Sequence, residues 1–177
     1  DECVVMLTEI IRQRAREREF TYCAFLDLKK AFASLFRPSM ISSAADMGIG
    51  GRCLAYIDSI HTNLETTVQN GTERSMPRPM ESGMREGGVF SPFGWAVFIN
   101  PLLLAIEEAG LGVIVMDRRG VRLKIGVLAY VDDLVLIAGS AKDLQDALDI
   151  ATRIARKLQL TWSTGPKGKS GVVVFGM

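Results

Sequence analysis

The order of elements predicts an α+β fold, with helices backing a small antiparallel sheet. Three observations predict it. Apolar residues recur at helical spacing near residues 2–18 and 141–158, and an uncharged run opened by Ser91-Pro92 reads as a third helix over 91–109. Short runs of strand length and strand composition lie between them. Two of those runs, Val127 to Tyr130 and Leu134 to Ile137, are close enough in sequence to fold back on one another, and such local pairing is antiparallel.

In residues 2–18, Val4, Leu7, Ile11 and Ala15 share one face, and Arg12, Arg14, Arg16 and Arg18 point elsewhere. Glu9, Glu17 and Glu19 are interleaved with the arginines, so a solvated face is the plainer reading of all four. Thr21 to Leu26 is a buried-strand candidate that ends at Asp27. Pro38 can sit in the first turn of a helix running to about Met47, and a further helix covers Arg52 to about His61. Leu64 to Gln69 alternates like a strand, with Asn70-Gly71 as a two-residue hairpin turn. Ser91-Pro92 opens the helix that runs towards Ala109. Gly110 to Gly120 reads as a strand and turn, Val121 to Tyr130 as a strand, Asp132-Asp133 as a turn and Leu134 to Ala138 as the return strand. After the helix over 141–158, Leu160 to Trp162 and Val172 to Phe175 are the last two strands.

Composition sets the limits. Of 177 residues, 48% are apolar and 23% charged, which favours a packed domain over disorder. The formal net charge of +1 is small for a protein that holds nucleic acid, so any such role places the basic surface outside these residues. Cys3, Cys23 and Cys53 form no CxxC pair, and with His61 as the single histidine a structural zinc site is disfavoured. The cysteine usage and the lack of a signal peptide fit a reducing intracellular setting, nuclear or cytoplasmic, without secretion. Residues 87–106 are uncharged and long enough to span a bilayer, yet Pro92, Gly94, Asn100 and Pro101 interrupt them; a buried core helix is the better reading.

The chemistry rests on acids at the ends of apolar strands. Asp132 and Asp133 lie between two such runs. Paired carboxylates repel each other and call for a counter-ion when desolvated. Aspartate is also simply a good turn residue, and the pair alone favours that reading. Asp27 ends a third apolar run, where a lone aspartate is usually a cap or loop residue. Convergence of the two sites would give Mg²⁺ the carboxylates it prefers. Two ions about 3.5–4 Å apart would clamp the attacking and leaving oxygens of an in-line displacement. Spacing alone does not establish that convergence.

Four motifs in order point further. FLDLKKAF (Phe25 to Phe32), REGGVFSP (Arg85 to Pro92), LAYVDDLVLIAG (Leu128 to Gly139) and LQLTWSTGPKGKSGVVVFG (Leu158 to Gly176) resemble successive palm motifs of reverse transcriptases. The LSP-like ending of the second is similar to the non-LTR retrotransposon branch, with group II intron proteins close behind. The resemblance implies a polymerase palm over residues 1–177, lacking most of the fingers and the thumb. It implies RNA-templated DNA synthesis by two-metal nucleotidyl transfer within a larger polyprotein. Its partners would be an RNA template, a DNA primer and dNTPs, with fingers, thumb and an endonuclease domain elsewhere in that polyprotein and no membrane. Asp27, Asp132 and Asp133 would be catalytic, and would hold two Mg²⁺ ions, or Mn²⁺, with the Leu28 carbonyl. Phe32 would exclude a ribose 2′-hydroxyl by steric bulk, the plainer alternative being an ordinary core phenylalanine. Gly87, Ser91 and Pro92 would shape the floor under nucleotide and template, Tyr130 would lie near the primer end, and Lys167 or Lys169, preferably Lys169, would face the triphosphate.

The chain departs from the pattern at Ala33 (commonly aspartate), Glu86 (commonly glutamine) and Val89, and the loop before Lys169 is longer by two or three residues. Such changes leave open an inactive, nucleic-acid-binding palm remnant. An RNA-dependent RNA polymerase palm is the other alternative, disfavoured by Val131 in place of the glycine of a GDD hairpin and by Phe32. By itself the fragment is expected to bind template and primer poorly and to be inactive.

Overall fold

The computed structural model describes residues 2–85, 87–117 and 119–176; the Glu86 departure lies outside them. In chain order the elements are α1 (Glu2–Arg16), β1 (Thr21–Leu26), α2 (Ala31–Ser34), α3 (Arg37–Asp46), α4 (Gly51–Ser59), β2 (Glu65–Thr66), β3 (Gln69–Asn70), β4 (Glu73–Arg74), β5 (Arg78–Pro79), α5 (Ser91–Glu108), β6 (Val113–Met116), β7 (Arg122–Ile125), β8 (Val127–Tyr130), β9 (Asp133–Ala138), α6 (Ala141–Lys157) and β10 (Gly171–Phe175). The expected α+β fold is present. The chain divides into two compact units, residues 1–29 with 99–177, and residues 30–98.

The first unit is built on an antiparallel sheet of order β10-β1-β9-β8. The central strands β1 and β9 are apolar because both their faces are covered, whereas the edge strand β10 leaves Val172, Val173 and Val174 exposed. Cys23 and Ile137, paired across β1 and β9, join Ile10 of α1, Leu128 of β8 and Val113 and Val115 of β6 in one core cluster. The opposite parity, Ala24, Leu26, Leu134, Leu136 and Ala138, is buried on the side where α6 packs against β1 and β9. Helix α6 buries Leu144, Ala147, Ala151 and Ala155, one stripe at spacings of three and four. Its start is fixed by Ser140, whose hydroxyl accepts the Asp143 amide at 3.0 Å. Asp143 in the first turn and Arg156 and Lys157 in the last complement the helix dipole.

Two expectations for this unit change. Val121 to Tyr130 is not one strand: Gly126 separates β7, which pairs with β6, from β8, which pairs with β9. A side chain at Gly126 would stand 2.5 Å from the Leu111 carbonyl oxygen, so the break needs glycine. Arg14 is not on a solvated face. It is 6% exposed. Its guanidinium donates from Nε to Thr21 Oγ1 at 3.1 Å and from Nη2 to the Phe20 carbonyl at 2.7 Å, and pairs with Glu19 at 2.7 Å. The helical period placed it beside the other arginines; the sharp return of the chain into β1 brought acceptors to it.

The second unit gathers α2, α3, α4 and the first turns of α5 around Leu35, Met40, Ala44, Trp95 and Phe98, all essentially inaccessible. Residues 82–84 are stitched to residues 32–35: Met84 N donates to Phe32 O and Gly83 N to Leu35 O, each at 2.8 Å. Gly83 has φ +83 and lies against the Ala33 main chain, so no larger residue fits there without strain. The hairpin near residue 70 exists, but Asn70 pairs with Glu73, so its two-residue turn is Gly71-Thr72 rather than Asn70-Gly71. The first turn position has φ 62, which glycine accepts and asparagine accepts less readily. The uncharged stretch became α5, with Trp95, Val97, Phe98, Ile99, Leu102 and Ile106 buried. Among the described residues no helix is long and apolar enough to cross a membrane.

Candidate active site

The register of β1 and β9 brings two of the predicted acids together. The ladder ends where Leu26 pairs with Leu134, and Asp27 and Asp133 are the next residues along the two chains from that pair. Both share the parity of Phe25 and Val135, the α1 side of the sheet. The two acids line one cleft of about 370 Å³, with Cys3, Val4 and Leu7 of α1, Leu128 and Tyr130 of β8, and Lys169. Asp27 is half-buried and Asp133 exposed, so both carboxylates reach solvent from an apolar surround.

Asp132 stands in the turn itself. Tyr130 pairs with Asp133, which leaves Val131 and Asp132 as a two-residue loop. The turn is therefore Val131-Asp132, and Asp133 already belongs to the return strand. Val131 takes φ 56, a left-handed conformation that a β-branched residue adopts only when its surroundings impose it. Asp132 is half-buried and does not line the cleft. Among the described residues no group of three or more histidine, cysteine, aspartate or glutamate side chains is assembled as a metal cage. Donors of the kind present, two hard carboxylates at an open cleft with a third next in the chain, fit Mg²⁺, which takes few protein ligands and fills the rest with water and substrate phosphate.

The main chain after β1 is held from the far end of the sequence. Asp27 N donates to Ser170 Oγ at 3.0 Å, and Asp27 O accepts from Ser163 N at 2.7 Å. Leu28 bridges to Trp162 and buries its side chain, and Lys29 N donates to Thr161 O at 2.9 Å. The expected strand at residues 160–162 is thus an isolated bridge rather than a ladder. Of the two lysines left open, Lys169 lines the cleft and Lys167 does not. Tyr130 is 58% exposed at the cleft edge.

The remaining candidates belong to the second unit. Phe32 is half-buried in α2, its ring 5.5 Å from that of Trp95. Ser91 is buried at the start of α5 and donates to the Arg85 carbonyl. Pro92 is exposed, and Gly87, with φ 75, is exposed in the turn before the helix. Ser163, Ser170, Cys3 and Leu7 are not among the site residues that the sequence pointed to. The serines flank the Gly-Pro-rich loop at 165–168, the one signal that could have marked them.

A sheet carrying acids at the end of one strand and in the adjoining hairpin, backed by helices, defines a polymerase-type palm. The family model described as reverse transcriptase (RNA-dependent DNA polymerase) matches residues 4–165, and the chain belongs to that family. Its relatives include the Pol polyprotein of the type-1 retrotransposable element R2 from Bradysia coprophila, 28% identical over 174 residues, covering 94% of this chain and 19% of that protein. The R2 polyprotein of Nasonia vitripennis is 29% identical over 155 residues, 87% of this chain and 14% of that protein. The non-LTR retrotransposon type implied by the motifs agrees with these relatives, of which the chain spans less than a fifth. Among solved structures, apo telomerase from Candida tropicalis, truncated from its C-terminal domain, superposes with a TM-score of 0.63. At 13% identity it covers 97% of this chain and 34% of that one, and shares the fold.

Proposed function

We propose that this chain is the catalytic palm for RNA-templated DNA synthesis by two-metal nucleotidyl transfer, within the Pol polyprotein of a non-LTR retrotransposon. The observation that carries the reading is the shared cleft of Asp27, Asp133 and Lys169 at one end of two paired strands. Mg²⁺, or Mn²⁺ in its place, would be held by Asp27, Asp132, Asp133 and the Leu28 carbonyl, and would supply charge neutralisation at the attacking and leaving oxygens.

The chain's own groups do the rest. In the reaction the primer 3′-oxygen bonds to the α-phosphorus, the bond to the β-phosphate oxygen breaks, and the hydroxyl proton leaves to solvent. Asp27 and Asp133 present two negative charges where cations must gather, and the apolar lining from Leu7, Phe25 and Leu128 lowers the dielectric around them. Lys169 offers an ammonium to the departing pyrophosphate. By motif match, Phe32 excludes the ribose 2′-hydroxyl, Tyr130 stands at the primer end, and Gly87, Ser91 and Pro92 form the floor beneath nucleotide and template. The small net charge leaves most of the grip on RNA template and DNA primer to fingers, thumb and further domains of the polyprotein. Nothing in this role calls for a membrane, and it is carried out inside the cell, in nucleus or cytoplasm.

Extension of a DNA primer on an RNA template by the full-length parent protein tests this. Incorporation of dNTPs that falls by at least a thousandfold in Asp27→Asn and Asp132→Asn, with rNTPs excluded, is the expected result. Preference for rNTPs would mean an RNA polymerase palm. Absence of incorporation in every condition would mean an inactive remnant.

A further inference from the structure

We infer that Ser170 is a positioning residue for Asp27, and that the loop from Ser163 to Ser170 is a clip that sets Asp27 and Lys169 on one cleft. The inference rests on the metal-binding role proposed for Asp27. A carboxylate one residue past the end of a strand has no ladder partner, and its direction follows its own φ and ψ. Here both polar groups of the Asp27 main chain are taken. The amide donates to Ser170 Oγ at 3.0 Å and the carbonyl accepts from Ser163 N at 2.7 Å. The two serines are tied to each other: Ser170 N donates to Ser163 O at 3.0 Å, and Lys169 N to Ser163 Oγ at 3.4 Å. The loop between them closes on itself through Gly168 N and Gly165 O at 2.9 Å. A side chain at Gly168 would stand 2.5 Å from the Ser163 carbonyl oxygen, so the closure depends on glycine there.

Two links follow. Lys169 lies between the residue that holds Asp27 and the chain that closes the loop, so the cation and the carboxylate of the cleft share one scaffold 142 positions apart in sequence. The hydroxyl of Ser170 is also the one side chain gripping the Asp27 main chain among the hydrogen bonds described. Removing it frees an amide at the point where the carboxylate must be aimed. Positional freedom of this kind costs affinity for an ion that must bridge two side chains.

The test is Mn²⁺ binding to the chain itself, followed by paramagnetic broadening of backbone amide signals around residues 27 and 133. Ser170→Ala is expected to weaken Mn²⁺ binding about fivefold, the scale of one net hydrogen bond. Ser170→Thr, which keeps the acceptor, should restore it. Ser163→Ala loosens the Lys169 turn without touching either bond to Asp27 and should bind as the unsubstituted chain does. Asp27→Asn serves as the reference: if it binds Mn²⁺ normally, the metal reading of Asp27 fails. If Asp27→Asn loses binding while Ser170→Ala does not, or if Ser163→Ala loses as much as Ser170→Ala, the positioning role fails and the metal reading stands. A measurement needing no variant accompanies these. The Asp27 amide should exchange with solvent slowly in the unsubstituted chain, and rapid exchange would overturn the clip.

Discussion

Replacing Arg14 by methionine separates two explanations of why α1 is anchored to β1. The side chain is 6% exposed and makes three polar contacts: Thr21 Oγ1 at 3.1 Å, the Phe20 carbonyl at 2.7 Å and Glu19 at 2.7 Å. Methionine keeps an unbranched apolar stem and removes every donor. Glu19 is 54% exposed, so its carboxylate rehydrates, and the ion pair contributes no more than about 1 kcal/mol. Thr21 is 1% exposed, and its hydroxyl has no water to replace the lost donor. The two hydrogen bonds, at about 1 kcal/mol each plus a penalty for the stranded acceptor, give a loss of roughly 2–3 kcal/mol. For a domain of this size that is about 4–12 °C in Tm. Denaturant unfolding followed by circular dichroism reads it directly. Arg14→Met should cost at least about twice as much as Glu19→Gln, and the difference should survive added salt. Equal losses from the two variants, or a loss that vanishes at high salt, would refute the hydrogen-bonding account and make Arg14 an ordinary ion-pair residue.

Two further predictions concern the sheet. Burial pushes the Cys23 thiol up to about 11 from an ordinary 9.0, so a thiol reagent near neutral pH should label exposed Cys53 and leave Cys23 silent until the chain unfolds. Because the folded value lies above the unfolded one, the stability contribution is full below pH 9 and is lost as pH rises towards 11, by roughly 2–3 kcal/mol; unfolding midpoints that stay flat across that window would contradict it. Val131→Asn should raise stability by about 1 kcal/mol, since asparagine tolerates the left-handed φ of 56 that valine resists; a destabilised variant would show that the valine side chain contributes more than its backbone costs.

The fold was largely legible because α1 and α6 each follow one helical period and α5 is an uncharged run behind a Ser-Pro start. Residues 2–16, 91–108 and 141–157 are helices as their patterns required, and β1 and the β8–β9 hairpin fall where apolar runs met turn residues. What escaped was set by contacts distant in sequence. Nothing local distinguishes Gly126 as a strand break; the nearby Leu111 carbonyl does. Arg14 reads like its neighbours until the chain turns back at Glu19. The acids were legible as acids at strand ends, and the motif resemblance supplied their roles. Ser170 carried no motif role because its partner is an amide 143 residues away.

The turn at residues 130–133 shows why the site depends on a count of residues more than on the identity of any one. A side-chain period of two means that one residue added to the loop would turn Asp133 to the α6 face and Leu134 towards the cleft. The two-residue loop prevents this, and it does so with a non-glycine residue in a left-handed conformation. Glycine would relax the turn and also loosen it. Valine, held at φ 56, leaves fewer alternatives for the two carboxylates that follow it, Asp132 and Asp133. On the partner strand the clip at Ser163 and Ser170 performs the equivalent service for Asp27. Each of the two acids of the cleft is thus fixed close to its carboxylate, Asp133 by the strained two-residue turn that precedes it and Asp27 by hydrogen bonds to its own main chain. A cleft whose carboxylates reach solvent cannot rely on burial for that precision.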